Sequence, residues 1–207
     1  MHIPEITVKT HAEGISAEAA VERLKAGNAA FLTAEHAIGD ASPALRSKLS
    51  THGQEPFAIV VTCSDSRVIP EAIFSVDLGD LFVIRVAGNV MDDHQLGSIE
   101  YAAGHLGVNL VVVLGHTHCG AVDAAINHDP EGYIKFITDE IKAAIGDETD
   151  DYKACVLNVK RGMDIIESSL DIQHEEELGL HVVGAVYNLE TGAVDWLPED
   201  RCPHCGL

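Results

Sequence analysis

The chain has 207 residues, 46% hydrophobic and 22% charged: apolar matter enough for one sizeable core, and too little charge for disorder throughout. Thirty-three acidic residues outweigh 13 basic ones, giving a formal charge of -20. Such a surface disfavours nucleic acid and anionic membrane as partners, and no apolar run approaches the roughly 18 residues of a membrane span.

In chain order, residues 1–14 carry no periodic pattern and are predicted as an extended arm. Ser16 is placed to cap a helix running to about Ala34, with Val21, Leu24 and Phe31 roughly on one face. That helix packs either on its own domain or on a partner subunit. Ser42-Pro43 opens a shorter helix ending near Gly53. The apolar run 57–61 has strand length and β-branched content, Pro70 begins one helical turn through Phe74, and 81–86 is a second strand. Ala87-Gly88-Asn89 reads as a small-residue loop. Asp92 or Asp93 caps a helix through about Leu106, with Leu96, Ile99, Ala103 and Leu106 on one face.

Strand 110–114 follows, then a helix from Gly120 to about Ile126, and two further helices over 131–145 and 151–170. A late strand at 181–189 turns at Thr191-Gly192 into 193–197. Alternating strands and helices predict an α/β fold: a largely parallel central β-sheet flanked by helices, with an N-terminal helical arm and an antiparallel C-terminal edge hairpin. One domain is expected over 1–207, with the arm and helix in 1–40 and a tail in 198–207. The first 20 residues lack the apolar core of a secretory signal, and five cysteines are an odd number. A cytoplasmic protein with reduced thiols is the expectation.

Two apolar strands end in soft metal ligands: Thr62-Cys63-Ser64-Asp65-Ser66-Arg67 and Gly115-His116-Thr117-His118-Cys119-Gly120. In open α/β sheets the crevice beyond the strand ends is where ligands bind. Zinc takes thiolate and imidazole in a tetrahedron, and a catalytic site leaves its fourth position to water. Cys63, His116 and Cys119 are therefore read as ligands of one zinc ion. His118 competes with His116, but its adjacency to Cys119 makes joint coordination awkward. Asp65, two residues past Cys63, reaches the same pocket in an extended turn and can accept a hydrogen bond from zinc-bound hydroxide. Arg67 can hold that carboxylate in a bidentate pair.

Cys155 reads as inert core. His94, His105 and His128 are candidate proton shuttles. Cys202-Pro203-His204-Cys205 reads as a tail holding adventitious metal, with a subunit contact or thiol switch as alternatives.

The run 63–67 with His116-x-x-Cys119-Gly120 resembles the β-class carbonic anhydrases. So do Gly79-Asp80-Leu81-Phe82-Val83-Ile84-Arg85, Gly97-Ser98-Ile99-Glu100-Tyr101 and the late hairpin, and the likeness runs from about Ala20 to Leu197. The resemblance implies one zinc ion per subunit and the reversible hydration of carbon dioxide to bicarbonate and a proton. It also implies a substrate pocket: Gln54 as an orienting amide, Phe82 and Tyr101 as apolar walls, and the Gly120 N–H facing substrate. Ala87 stands where the family often has valine, which widens that pocket. Val60 stands where some bacterial members carry the tryptophan of a bicarbonate pocket that lets the aspartate close onto zinc. An open site with Asp65 on Arg67 is therefore expected. Relatives form dimers or multiples of dimers with the N-terminal helix crossing between subunits, so a homodimer or a multiple of dimers is expected here. Two other functions remain: hydrolysis of carbon disulfide or carbonyl sulfide on the same scaffold, and a non-catalytic zinc-dependent binding or regulatory protein. Intact Asp65, Arg67 and Gln54 speak against the latter.

Overall fold

Side-chain oxygens of Ser16, Ser42, Asp92, Asp150 and Ser169 each accept an amide at a helix start in the computed structural model, which describes residues 9–35 and 39–198. Chain order runs α1 (Ala17–Phe31), α2 (Pro43–His52), β1 (Ala58–Thr62), α3 (Pro70–Ile73), β2 (Leu81–Arg85), α4 (Asp93–Leu106) and β3 (Leu110–His116). It continues through α5 (Gly120–Asn127), α6 (Ile134–Ile145), α7 (Asp151–Glu167), α8 (Leu170–Glu177), β4 (His181–Tyr187) and β5 (Val194–Trp196). Asp92 completes a reciprocal box with Gln95, which fixes the start of α4.

The strands lie in the order β2-β1-β3-β4-β5, parallel except for the antiparallel β4–β5 edge. β1 and β3 are buried along their whole length, as their unbroken apolar runs require of strands covered on both faces. On one face Ile59, Val61, Val111, Val113 and Val186 meet α4 through α8; on the other Ala58, Val60, Val112, Leu114 and Ala185 meet α1 and α3. From β1 the chain leaves toward β2, and from β3 it leaves toward β4 on the other side. The crevice at the carboxyl ends of β1 and β3 is thus the point where strand order reverses.

Two expectations change. Residues His11–Glu13 form a 3-10 turn closed by a Thr10–Glu13 box, where an extended arm is predicted. The helix predicted over 151–170 stops at Glu167, and Ser169 caps a separate helix, α8. The buried face of α1 is Ala17, Ala20, Leu24 and Asn28, with the predicted Val21 and Phe31 partly buried against the same cluster, and it packs on its own chain. Asn28 secures that docking, donating to the Ile73 and Gly192 carbonyls and accepting the Val194 amide. Cys202 and Cys205 lie outside the described residues.

Candidate metal centre

Cys63 immediately follows β1, His116 is the last residue of β3, and Cys119 sits at the N-terminus of α5. The Thr62 hydroxyl donates to the Leu114 carbonyl at 2.8 Å and locks the two strand ends together. All three side chains are buried, and their ligand atoms lie within 4.8 Å of one another. The two sulfurs are 4.0 Å apart. Tetrahedral zinc with bonds of about 2.3 Å sets its sulfurs about 3.8 Å apart, so the spacing fits.

The imidazole completes the case. Nδ1 of His116 lies 2.9 Å from the Thr117 carbonyl, which can only accept, so Nδ1 carries the proton. Nε2 is buried, has no hydrogen-bond partner, and is left to the sulfurs. Contact with Cys119, helped by His116 and the Gly88 and Asp65 amides, pulls the Cys63 thiol down to about 4. Contact with Cys63, together with burial, pushes Cys119 up. Burial opposes a proton on His116, yet Cys63 and the Thr117 carbonyl outweigh it and raise the imidazole. Two sulfurs and one imidazole at such close range are a donor set suited to a soft divalent cation.

Asp65 stands beside the trio, with Oδ2 3.9 Å from His116 Nε2. Arg67 donates from Nε and Nη2 to its two oxygens, at 2.9 and 2.7 Å, and from its backbone amide at 2.9 Å. The guanidinium holds the Asp65 carboxyl well below the usual carboxylate range. Arg67 also reaches the His118 carbonyl at 3.2 Å, tying the two ligand loops together. The His118 ring is exposed and lies outside the trio.

Several supports escaped sequence reasoning. Arg85 at the end of β2 donates to the Cys63 and Asp65 carbonyls at 3.1 and 2.7 Å. The Gly88 amide donates to the Cys63 sulfur at 3.2 Å. One stripe of α7 faces the ligand loops at spacings of four and three: Asp151 accepts the His118 amide at 2.9 Å, Cys155 donates to the His116 carbonyl at 3.0 Å, and Asn158 donates to the Gly88 carbonyl at 2.8 Å. Burial pushes the Cys155 thiol up to about 12, so it remains a donor. The only signal in the sequence was polar spacing on a helix face. Close packing brings α7 this near: a Cβ on Gly115 would meet Val159 Cγ2 at 2.6 Å.

Other anticipated residues are spread more widely. Ala87 adjoins Gly88, and Gly120 opens α5 on a side where an added Cβ meets nothing within 4 Å. Phe82 pairs in register with Ile59, so it sits roughly 13 Å back along the sheet from the level of Cys63. Tyr101 packs on it, centroids 6.1 Å apart, and stacks on His105. Gln54 is exposed on the segment before β1, at the opposite end of that strand from Cys63. His94 and His128 are exposed.

The family description "Carbonic anhydrase" matches residues 58–194, from the first residue of β1 to the first of β5. A protein named carbonic anhydrase 2 from Mycobacterium tuberculosis is 44% identical over 132 residues, covering 61% of this chain and 63% of that relative, less than two thirds of its length. A carbonic anhydrase from Mycolicibacterium smegmatis is 36% identical over 190 residues, covering 86% of this chain and 91% of its own. Among solved structures, a β-carbonic anhydrase from Aspergillus fumigatus superposes with a TM-score of 0.68 at 29% identity, covering 77% of this chain and 83% of its own. One of two tetrameric β-carbonic anhydrases from Sordaria macrospora gives 0.68 at 26%, covering 87% and 94%. With that pattern spanning the sheet and the Cys-His-Cys group at its switch point, the chain belongs to the β-class carbonic anhydrase family.

Proposed function

We propose that this protein is a carbonic anhydrase that reversibly hydrates carbon dioxide to bicarbonate and a proton, with one zinc ion per subunit on Cys63, His116 and Cys119. The observation that carries this reading is the buried, unpartnered His116 Nε2 facing two sulfurs 4.0 Å apart. Zinc at such a site lowers the pKa of water toward 7 and supplies hydroxide near neutral pH. Asp65 accepts a hydrogen bond from the attacking oxygen and turns its lone pair toward the carbon of carbon dioxide. Arg67 keeps that carboxylate ionised and aimed. Ala87 and the Gly120 amide border the open side where substrate enters.

Gln54, Phe82 and Tyr101 serve substrate across a subunit boundary in this reading. Each chain holds Gln54 and Phe82 well back from its own trio, and the assembly is a homodimer or a multiple of dimers. No described helix is long and apolar enough to cross a membrane. The buried free thiols Cys63, Cys119 and Cys155 suit a reducing cytoplasmic setting. The test is zinc content followed by stopped-flow hydration with a pH indicator, with Cys63→Ser as control. Full zinc without hydration, but with turnover of carbon disulfide, would replace this substrate; zinc without any turnover would leave a binding protein.

A further inference from the structure

We propose that Asn158 is a positioning residue of the metal centre: by holding the Gly88 carbonyl it aims the Gly88 amide at the Cys63 sulfur, and so sets how much charge that sulfur gives a bound cation. This rests on the reading that Cys63, His116 and Cys119 hold a metal.

The Gly88 loop is poorly suited to hold itself. Gly88 sits at φ 69° and ψ 14°, and Asn89 follows at φ 44°, where residues other than glycine are disfavoured. A side chain cannot stiffen Gly88, because its Cβ would meet Ile141 Cδ1 at 2.7 Å and Ala121 Cβ at 2.9 Å. Within the loop the restraint is a single turn bond from the Asn89 amide to the Val86 carbonyl at 3.0 Å. From outside, Thr62 and Ser64 hold Val86 at the loop's entry, and among the described residues Asn158 holds the Gly88 carbonyl itself. It is buried at 4% exposure on α7, between Ala154, Cys155, Val159 and Gly162, which are buried too. A bond of 2.8 Å from that frame restrains the Gly88–Asn89 peptide and, through the torsions of Gly88, the preceding peptide that carries its N–H.

The chemistry follows from the acceptor. An N–H aimed at a thiolate draws electron density from sulfur and weakens it as a donor. Two thiolates already cancel the charge of a divalent ion. The acidity of anything that ion holds then depends closely on how strongly each sulfur donates. Asn158 thus acts on the reaction at one remove, through a backbone amide.

Cobalt(II) loading tests this, because its thiolate charge-transfer band reports sulfur donation directly. Wild-type protein, Asn158→Ala and Asn158→Asp, whose carboxylate cannot donate, are compared for band position and for cobalt dissociation constant. Wild type that binds no cobalt with a thiolate band sinks the metal reading itself. With the wild-type band present, both variants are expected to show it at longer wavelength at unchanged far-UV circular dichroism, because the freed sulfur donates more strongly. Variants with the wild-type band overturn the proposal, whatever their affinity. If neither variant folds, wild-type protein loaded with a spin-active cadmium isotope decides. Scalar coupling between cadmium and the Gly88 amide proton supports the relay, and its absence overturns it.

Discussion

Arg67 reaches both oxygens of Asp65 and, with the same Nη2, the carbonyl of His118. One guanidinium therefore orients the acid that follows Cys63 and pins the loop that carries Cys119. Arg67→Lys keeps the charge and loses the fork, so kcat/KM for hydration is expected to fall about tenfold, and about a hundredfold for Arg67→Ala. Zinc content should stay at the wild-type level in both. Equal losses for Lys and Ala would show that charge alone matters.

Asp65 also gives a pH dependence with a definite sign. Its folded pKa is depressed by Arg67, so its contribution to stability is complete above the ordinary value of 3.8 and disappears as pH falls through the lowered one. The urea-midpoint difference between metal-free wild type and metal-free Asp65→Asn should not fall as pH drops from about 8 to 5 and should shrink only below about pH 4. A difference that shrinks between pH 8 and 6 would contradict the assignment.

The Gly88 position is expected to refuse even a methyl group. Gly88→Ala combines a positive φ with contacts under 3.0 Å to Ile141 and Ala121, which together cost about 2 kcal/mol or more. Chemical denaturation checks the stability, and zinc competition against a chelator checks the loss of the amide on Cys63.

Thiol chemistry should rank the cysteines without any assay of turnover. After chelation, in a Cys202→Ser/Cys205→Ser background, iodoacetamide is expected to modify Cys63 first, as its thiol is drawn down to about 4. Cys155, pushed up to about 12, should react only on unfolding. Zinc should protect Cys63, and peptide mapping by mass spectrometry reads all three results.

Asn28 tests whether α1 docks on its own chain. Asn28→Ala strands two carbonyls and one amide among buried groups, for an expected loss of about 3 kcal/mol in urea. An unchanged midpoint would mean that α1 is held by something other than this side chain.

The Cys63-His116-Cys119 cluster was legible because Cys63 and His116 lie at strand ends marked by apolar runs, with Cys119 one turn further on, and strand ends are where sequence and position correspond most directly. Ser16, Ser42 and Asp92 were legible for the same local reason, since a cap and the amides it serves are neighbours in sequence. The break after Glu167 was not, because apolar spacing continues through Ser168 and Ser169 and a serine inside such a pattern looks like a surface residue. The face of α1 was legible through Val21, Leu24 and Phe31, which all pack on the same cluster, but the role of Asn28 was not, because its partners are backbone atoms far away in the chain. Cys155, Asn158 and Arg85 were illegible as supports: their partners are backbone atoms far away in the chain, and a carbonyl leaves no mark in a sequence.

The α7 stripe also says where this protein will accept insertions. Each residue added between Asp151 and Asn158 rotates the downstream part of the helix by about 100° around its axis, so one insertion swings Asn158 off its carbonyl while leaving Asp151 in place. The turn at Gly146–Thr149 ahead of the helix has no such phase to keep. A graft or loop extension belongs there, because an added residue inside α7 would also turn the buried Val159, Gly162 and Ile166 off the core and cost stability along with the Gly88 contact.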